Sequence, residues 1–239
     1  MERNVKVTTF SSIGRVTRIY GVNSNKIHHL QSDNQLRLFL ILEWNRNVIE
    51  INENVKLNDL LIYVDNVENL KLNKFMNKEN KHLYDLHTNF LIKVRKNNTV
   101  EQVAISVKNS GELKRNITIE KLEIERRYWK NRGIKFYLVT DRELNKIFAD
   151  NILWVRETLF DNRNIKNKEE LSDELYWVLK NSLDVRIDLV IKNYEKRINE
   201  GSGIGLYLLR YLIASKQIAI NMEKKLDLKT KVSESLMFN

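Results

Sequence analysis

An α/β domain with a mixed sheet flanked by helices, followed by a mainly helical domain, is the fold class this 239-residue chain predicts. Short runs near 48–54, 89–95, 102–108 and 135–140 read as strands, with the alternation of a half-buried strand at 48–54. Helical spacing lies before, between and after those runs. Beyond residue 169 helical patterns dominate, with one short ribbon at the end. The length suffices for one large or two small domains with real cores.

The first thirty residues read as a basic arm, with Gly14 and Gly21 as breaks and one short strand around 16–20. Arg15, Arg18 and Lys26 are its candidate DNA contacts. At Ser32 a helix begins, because Ser32 suits the N-cap and Gln35 completes a capping box. Leu36, Leu40 and Trp44 recur at helical spacing beside Phe39, which predicts packing through Trp44. Val48, Glu50 and Asn52 alternate with Ile49 and Ile51 in a half-buried strand. Residues 65–83 are polar and irregular and read as a loop.

Two strands follow, 89–95 and 102–108, joined by a turn at 96–98. In the second, Val103, Ile105 and Val107 share one face, and Ala104, Ser106 and Lys108 the other. A helix over about 118–132 ends at Gly133, in the position that favours a left-handed residue. Residues 135–140 form another strand, and 142–157 are largely helical. The first domain therefore spans 1–157 and a polar linker covers 158–168. The second domain, 169–239, has helices at about 169–182, 184–199 and 206–214. A hairpin from 218–221 and 226–231 would make it winged-helix-like.

Composition narrows the function classes. The chain has 41 Lys and Arg against 31 Asp and Glu, a formal charge of +10, which favours a polyanion partner. There is no cysteine, so disulfides, thiolate metal sites and a cysteine nucleophile are excluded. No apolar run is long enough for a membrane span, and the first residues lack a signal-peptide core. A cytoplasmic location is expected. His28 and His29 are adjacent and diverge, so they read as loop histidines rather than a metal pair. The G-S-G-I-G run at 201–205 lacks the preceding strand and the Gly-Lys-Ser/Thr ending of a phosphate loop, and reads as a helix–helix turn. Glu120, Glu123 and Glu125 near a helix start suit its dipole.

Ser106 and Lys108, two apart on one strand face, have the layout of a metal-dependent nuclease strand. Such a strand carries an acid for Mg²⁺ and a lysine for the water or the phosphate. Asn89 opens the neighbouring strand where a second acid would stand.

Five segments resemble the TnsA family, the endonuclease subunit of Tn7-type heteromeric transposases. They are H-H-L-Q-S-D-N-Q-L-R-L-F-L-I-L-E-W (28–44), H-T-N-F-L-I (87–92), V-A-I-S-V-K (103–108), I-E-K-L-E-I-E-R-R-Y-W (119–129) and F-Y-L-V-T-D-R-E (136–143). The resemblance implies a restriction-endonuclease-like fold and Mg²⁺-dependent nicking at the 5′ ends of a transposon. It also implies double-stranded DNA, a TnsB-like integrase subunit and a TnsC-like ATPase as partners. The family's helix Glu falls at Gln35, its strand Asp at Asn89 and its Gln at Ser106; only the lysine, Lys108, is retained. An amide keeps a carbonyl acceptor but no charge. At ~4 Å and an effective dielectric near 20, one charge pair is worth about 4 kcal/mol. Losing two carboxylates therefore weakens a dication site by orders of magnitude. The expectation is a TnsA-like subunit whose nuclease centre is degenerate and which serves as a scaffold. Alternatives are an active endonuclease with relocated acids (Asp85, Glu43, Glu50 or Glu101), a deliberately silenced variant of one, or a winged-helix DNA-binding regulator.

Overall fold

The computed structural model describes residues 16–160, 165–199 and 201–239. The chain divides into two compact units, Met1–Asn145 and Lys146–Asn239.

The first unit opens with a hairpin, β1 (Thr17–Tyr20) and β2 (Ile27–Leu30), paired antiparallel. The second strand of this hairpin is absent from the sequence reading, which placed those residues in an arm and a loop. Helix α1 (Asp33–Trp44) starts where expected: Ser32 Oγ accepts the Gln35 N–H at 3.2 Å. Gln35 reaches back to the N–H of Gln31, one residue beyond the cap. The buried seam is Gln35, Leu38, Phe39 and Leu42 with Leu40, while Leu36 and Trp44 are only partly buried. The expected seam through Leu36 and Trp44 is thus rotated by one to two residues.

The core sheet has the order β3-β4-β5-β6. Strands β3 (Val48–Lys56), β4 (His87–Lys96) and β5 (Thr99–Lys108) run antiparallel, and β6 (Lys135–Thr140) lies parallel to β5. A bulge between Val48 and Glu50 lets Val48 and Ile51 both turn inward, leaving Ile49 exposed, which breaks the simple alternation expected there. Helix α3 (Asn116–Asn131) crosses from β5 to β6 and ends at Gly133, whose φ of +69° is the left-handed stop the sequence implied. It packs Ile124, Tyr128 and Trp129 on the sheet face that carries Ala104. The alternate residues Phe90 and Ile105 are buried as well, so both faces of the sheet are covered.

The stretch expected to be a loop is structured. It holds a short helix, α2 (Leu60–Tyr63), and 3-10 turns that bury Leu70, Leu72 and Phe75 in the α3 core. Those apolar residues are spaced too irregularly among Lys and Asn to register as periodic. This mixed sheet between helices is restriction-endonuclease-like.

The second unit is mainly helical: α4 (Lys146–Arg156), α5 (Lys168–Lys180), α6 (Ile187–Ile198), α7 (Ile204–Ala214) and α8 (Val232–Ser235). Helix α4 packs on α7 and so opens this unit, instead of closing the first as the sequence boundary at 157 had it. The expected hairpin is also different. Strand β7 (Ile218–Ala219) pairs with β8 (Met237–Phe238), and residues 226–231 are not a strand. No helix among the described residues is long and apolar enough to cross a membrane.

Candidate active site

The site lies where β4 and β5 separate. Their ladder ends at the pair Phe90–Ile105, and past it the Asn89 side chain takes over. Asn89 Oδ1 accepts the Val107 N–H at 2.8 Å, which sets Asn89 between Ser106 and Lys108 on the neighbouring strand. Backbone N–H groups can only donate, so this bond fixes which end of the amide is oxygen. Asn89, Ser106 and Lys108 are therefore brought together. Gln35 is not hydrogen-bonded to the other three among the described residues; its Oε1 accepts the Gln31 N–H at 2.9 Å.

Ser106 is fully buried and faces α3, where its hydroxyl donates to Glu125 Oε2 at 2.5 Å. Thr88 Oγ1 donates to the same oxygen at 2.8 Å and in turn accepts the Trp129 indole N–H at 2.8 Å. Glu125 has no exposed surface, and Lys121 Nζ stands 3.3 Å from its other oxygen, Oε1. That oxygen receives no hydrogen bond, the one buried side-chain polar atom so left among the described residues. Lys121 also donates to the His87 carbonyl at 2.8 Å. Burial first, and then the like charge of Lys121, holds the Lys108 ammonium below the usual lysine range, against the pull of Glu125 and Glu112.

Glu125 is the residue the sequence reading missed. By sequence it suits a helix start, yet it lies in the third turn of α3, where its carboxylate meets Ser106 and Thr88 of the sheet. Its spacing within E-K-L-E-I-E-R-R-Y-W gave one signal: Glu125 shares a helical stripe with Leu122, Tyr128 and Trp129, an acid on an apolar face.

The donor set does not fit Mg²⁺. That ion takes near-octahedral oxygen ligands, usually one or two carboxylates with phosphate and water. The side chains of Gln35, Asn89 and Ser106 are uncharged, and their oxygens already serve Gln31, Val107 and Glu125. The Glu125 carboxylate has one oxygen without a hydrogen bond, and the Lys121 ammonium already sits 3.3 Å from it. No group of three or more His, Cys, Asp or Glu suited to a metal exists among the described residues. The other acids considered are engaged elsewhere: Asp85 with Lys56, Glu101 with Lys135, Glu50 with Lys93, and Glu43 with the Val22 N–H.

Of the candidate DNA contacts, Arg15 lies outside the described residues. Arg18 is exposed on β1, while Lys26 is tied to Asn52 and, at 3.9 Å, to Glu53. His28 is not a loop residue but a buried one on β2, bridging Ser24 at 2.7 Å and Glu53 at 2.6 Å. His29 faces solvent, as adjacent strand residues must. The G-S-G-I-G run is a turn into α7, and its Gly203 and Gly205 N–H groups both donate to Glu195 Oε1, at 3.0 and 2.8 Å. An internal carboxylate thus occupies the place an anion would take.

Comparison with known proteins agrees with this fold. Residues 45–141 match the family described as TnsA-like endonuclease N terminal, and residues 143–222 match TnsA endonuclease C terminal. The chain is 32% identical over 216 residues to "Transposon Tn7 transposition protein TnsA" of Escherichia coli, across 89% of this chain and 76% of that protein. With both segments matched and this identity spanning most of both chains, the chain belongs to the TnsA-like endonuclease family.

Proposed function

We propose that this chain works as the TnsA-like subunit of a Tn7-type transposase, holding transposon-end DNA while its own nuclease centre stays silent. The observation that carries the reading is the donor set: two amides and a serine at the ligand positions, with every side-chain oxygen already bonded inside the protein. The two matched segments and the Escherichia coli relative support a transposition role. In that role double-stranded DNA, a TnsB-like integrase subunit and a TnsC-like ATPase are its partners. Mg²⁺ would serve the family's cutting reaction, but it has no anionic seat here. The charge of +10 suits a subunit that grips DNA, with Arg15, Arg18 and Lys26 as candidate contacts. Without 5′ cutting, products would remain joined to the donor, and the element would move by copying.

The test is Mg²⁺-dependent nicking of transposon-end DNA beside the TnsB-like partner. The unmodified chain is expected to leave 5′ strands intact, and Gln35→Glu with Asn89→Asp to regain measurable nicking. Robust nicking by the unmodified chain, abolished by Lys108→Ala, would show a working centre and sink the proposal. No observation favours relocated acids, since Asp85, Glu50, Glu101 and Glu43 each have partners away from Asn89.

A further inference from the structure

The site has exchanged acceptors for donors. The Asn89 carbonyl is held by the Val107 N–H, so the group this amide has left to offer is its NH₂. That Nδ2 has no hydrogen-bond partner among the described residues, yet it is not among the sealed, unpartnered atoms, so solvent reaches it. Gln35 repeats the pattern on α1: its carbonyl serves Gln31 and its NH₂ is unpartnered and open. Lys108 follows suit, for its ammonium has neither hydrogen bond nor ion pair among the described residues. Of the charges that act on Lys108, the ammonium of Lys121 weighs most, ahead of Glu125 and Glu112.

Charge balance points the same way. Glu125 is turned inward, bonded by Ser106 and Thr88 and matched by Lys121. That leaves Lys108 without an ion-pair partner among the described residues, and Asn89, whose NH₂ is free, is held on the N–H of Val107, next to Lys108 in the chain. A metal centre needs the opposite polarity. An anion with several oxygens, able to accept from an ammonium and an amide together, fits the polarity present.

We propose that this site binds a backbone phosphate of DNA directly, without a metal ion, through Lys108 Nζ and Asn89 Nδ2. In an ordinary metal nuclease site the dication bridges protein carboxylates to the phosphate. Here the carboxylates and the dication are both dispensed with, and protein donors meet the phosphate themselves. Ser106 serves as a positioning residue: it holds Glu125 inward, away from the bound anion. The inference rests on the reading that the chain holds DNA without cutting it.

The experiment is fluorescence anisotropy of the full chain with a short DNA duplex across a salt series, in EDTA and in Mg²⁺. The unmodified chain is expected to bind equally in both. Lys108→Gln should weaken binding by roughly three- to tenfold and flatten the salt dependence by about one counterion, while Lys108→Arg retains most of the affinity. Asn89→Asp, nearly isosteric, should weaken binding in EDTA, because a carboxylate then faces the phosphate. Inorganic phosphate should compete less effectively against Lys108→Gln than against the unmodified chain. Melting temperatures of each variant separate lost binding from lost folding. The proposal is overturned if Lys108→Gln and Asn89→Asp fold and bind with unchanged affinity and salt slope, or if unmodified binding requires Mg²⁺. Nicking by the unmodified chain in Mg²⁺ would overturn the silent-nuclease reading instead, and the EDTA measurements remain separate from it.

Discussion

Replacing Ser106 by Ala removes one oxygen from the middle of the buried network behind the site. Ser106 and Glu125 are both fully buried, and their bond is a hydroxyl-to-carboxylate contact of 2.5 Å. Glu125 would keep only the Thr88 hydroxyl and the Lys121 ammonium, with Oε1 already lacking a hydrogen bond. Hydrogen bonds to charged groups contribute about 1.5–3 kcal/mol net, and no water can replace the lost donor in so closed a place. A cost of about 2 kcal/mol corresponds to a fall in melting temperature of about 4–8 °C for a chain of this size. Circular dichroism melts of Ser106→Ala, Glu125→Gln and the double variant test this. The double variant should be more stable than the sum of the single losses implies, by more than ~0.5 kcal/mol, because the residues share one bond. A Ser106→Ala melt within about 1 °C of the unmodified chain, or strict additivity, would refute the reasoning.

Other outcomes follow from neighbouring features. The Arg126 guanidinium, with Arg127 behind it, holds Glu123 at about 2 against an ordinary 4.5. Because the folded value is depressed, the stabilisation is complete above pH 4.5 and is lost as pH falls toward 2. Glu123 is 31% exposed, so solvent screening reduces its worth to about 1 kcal/mol. Urea titrations of Glu123→Gln should show that difference at pH 7 and none at pH 2. Glu195→Ala should cost about 1–2 kcal/mol by freeing the Gly203 and Gly205 N–H groups, read as a lower urea midpoint. Thr88→Val removes the acceptor of the Trp129 indole and a donor to Glu125, for a loss of about 3 kcal/mol. Adding Trp129→Phe should recover part of it, because no indole N–H is then left unpaired.

Much of the fold was legible in the sequence where signals are local. Ser32 as a cap, Gly133 as a stop and the opposite faces of β5 each depend on residues within one turn or one pleat. Where a longer-range partner decides the geometry, the reading slipped. The seam of α1 follows Leu38 and Phe39 rather than Leu36 and Trp44. The bulge at Val48 defeats alternation, and Leu70, Leu72 and Phe75 are recruited to a core that begins far along the chain. Strand β8 lies at Met237–Phe238, where two residues are too few to carry a periodic signal.

The sequence by itself determined the family, the sheet order's local pieces and the side-chain chemistry at Gln35, Asn89, Ser106 and Lys108. Those are matters of residue identity and short spacing. Only the tertiary structure decided what those side chains face. Glu125 reaches Ser106 across 19 residues and Thr88 across 37, separations at which no periodicity carries information. The direction of the Asn89 amide likewise came from a backbone N–H 18 residues away, which holds the oxygen and leaves the NH₂ to the solvent. Residue type sets which bonds a group can make; packing alone sets which of them it has left to offer.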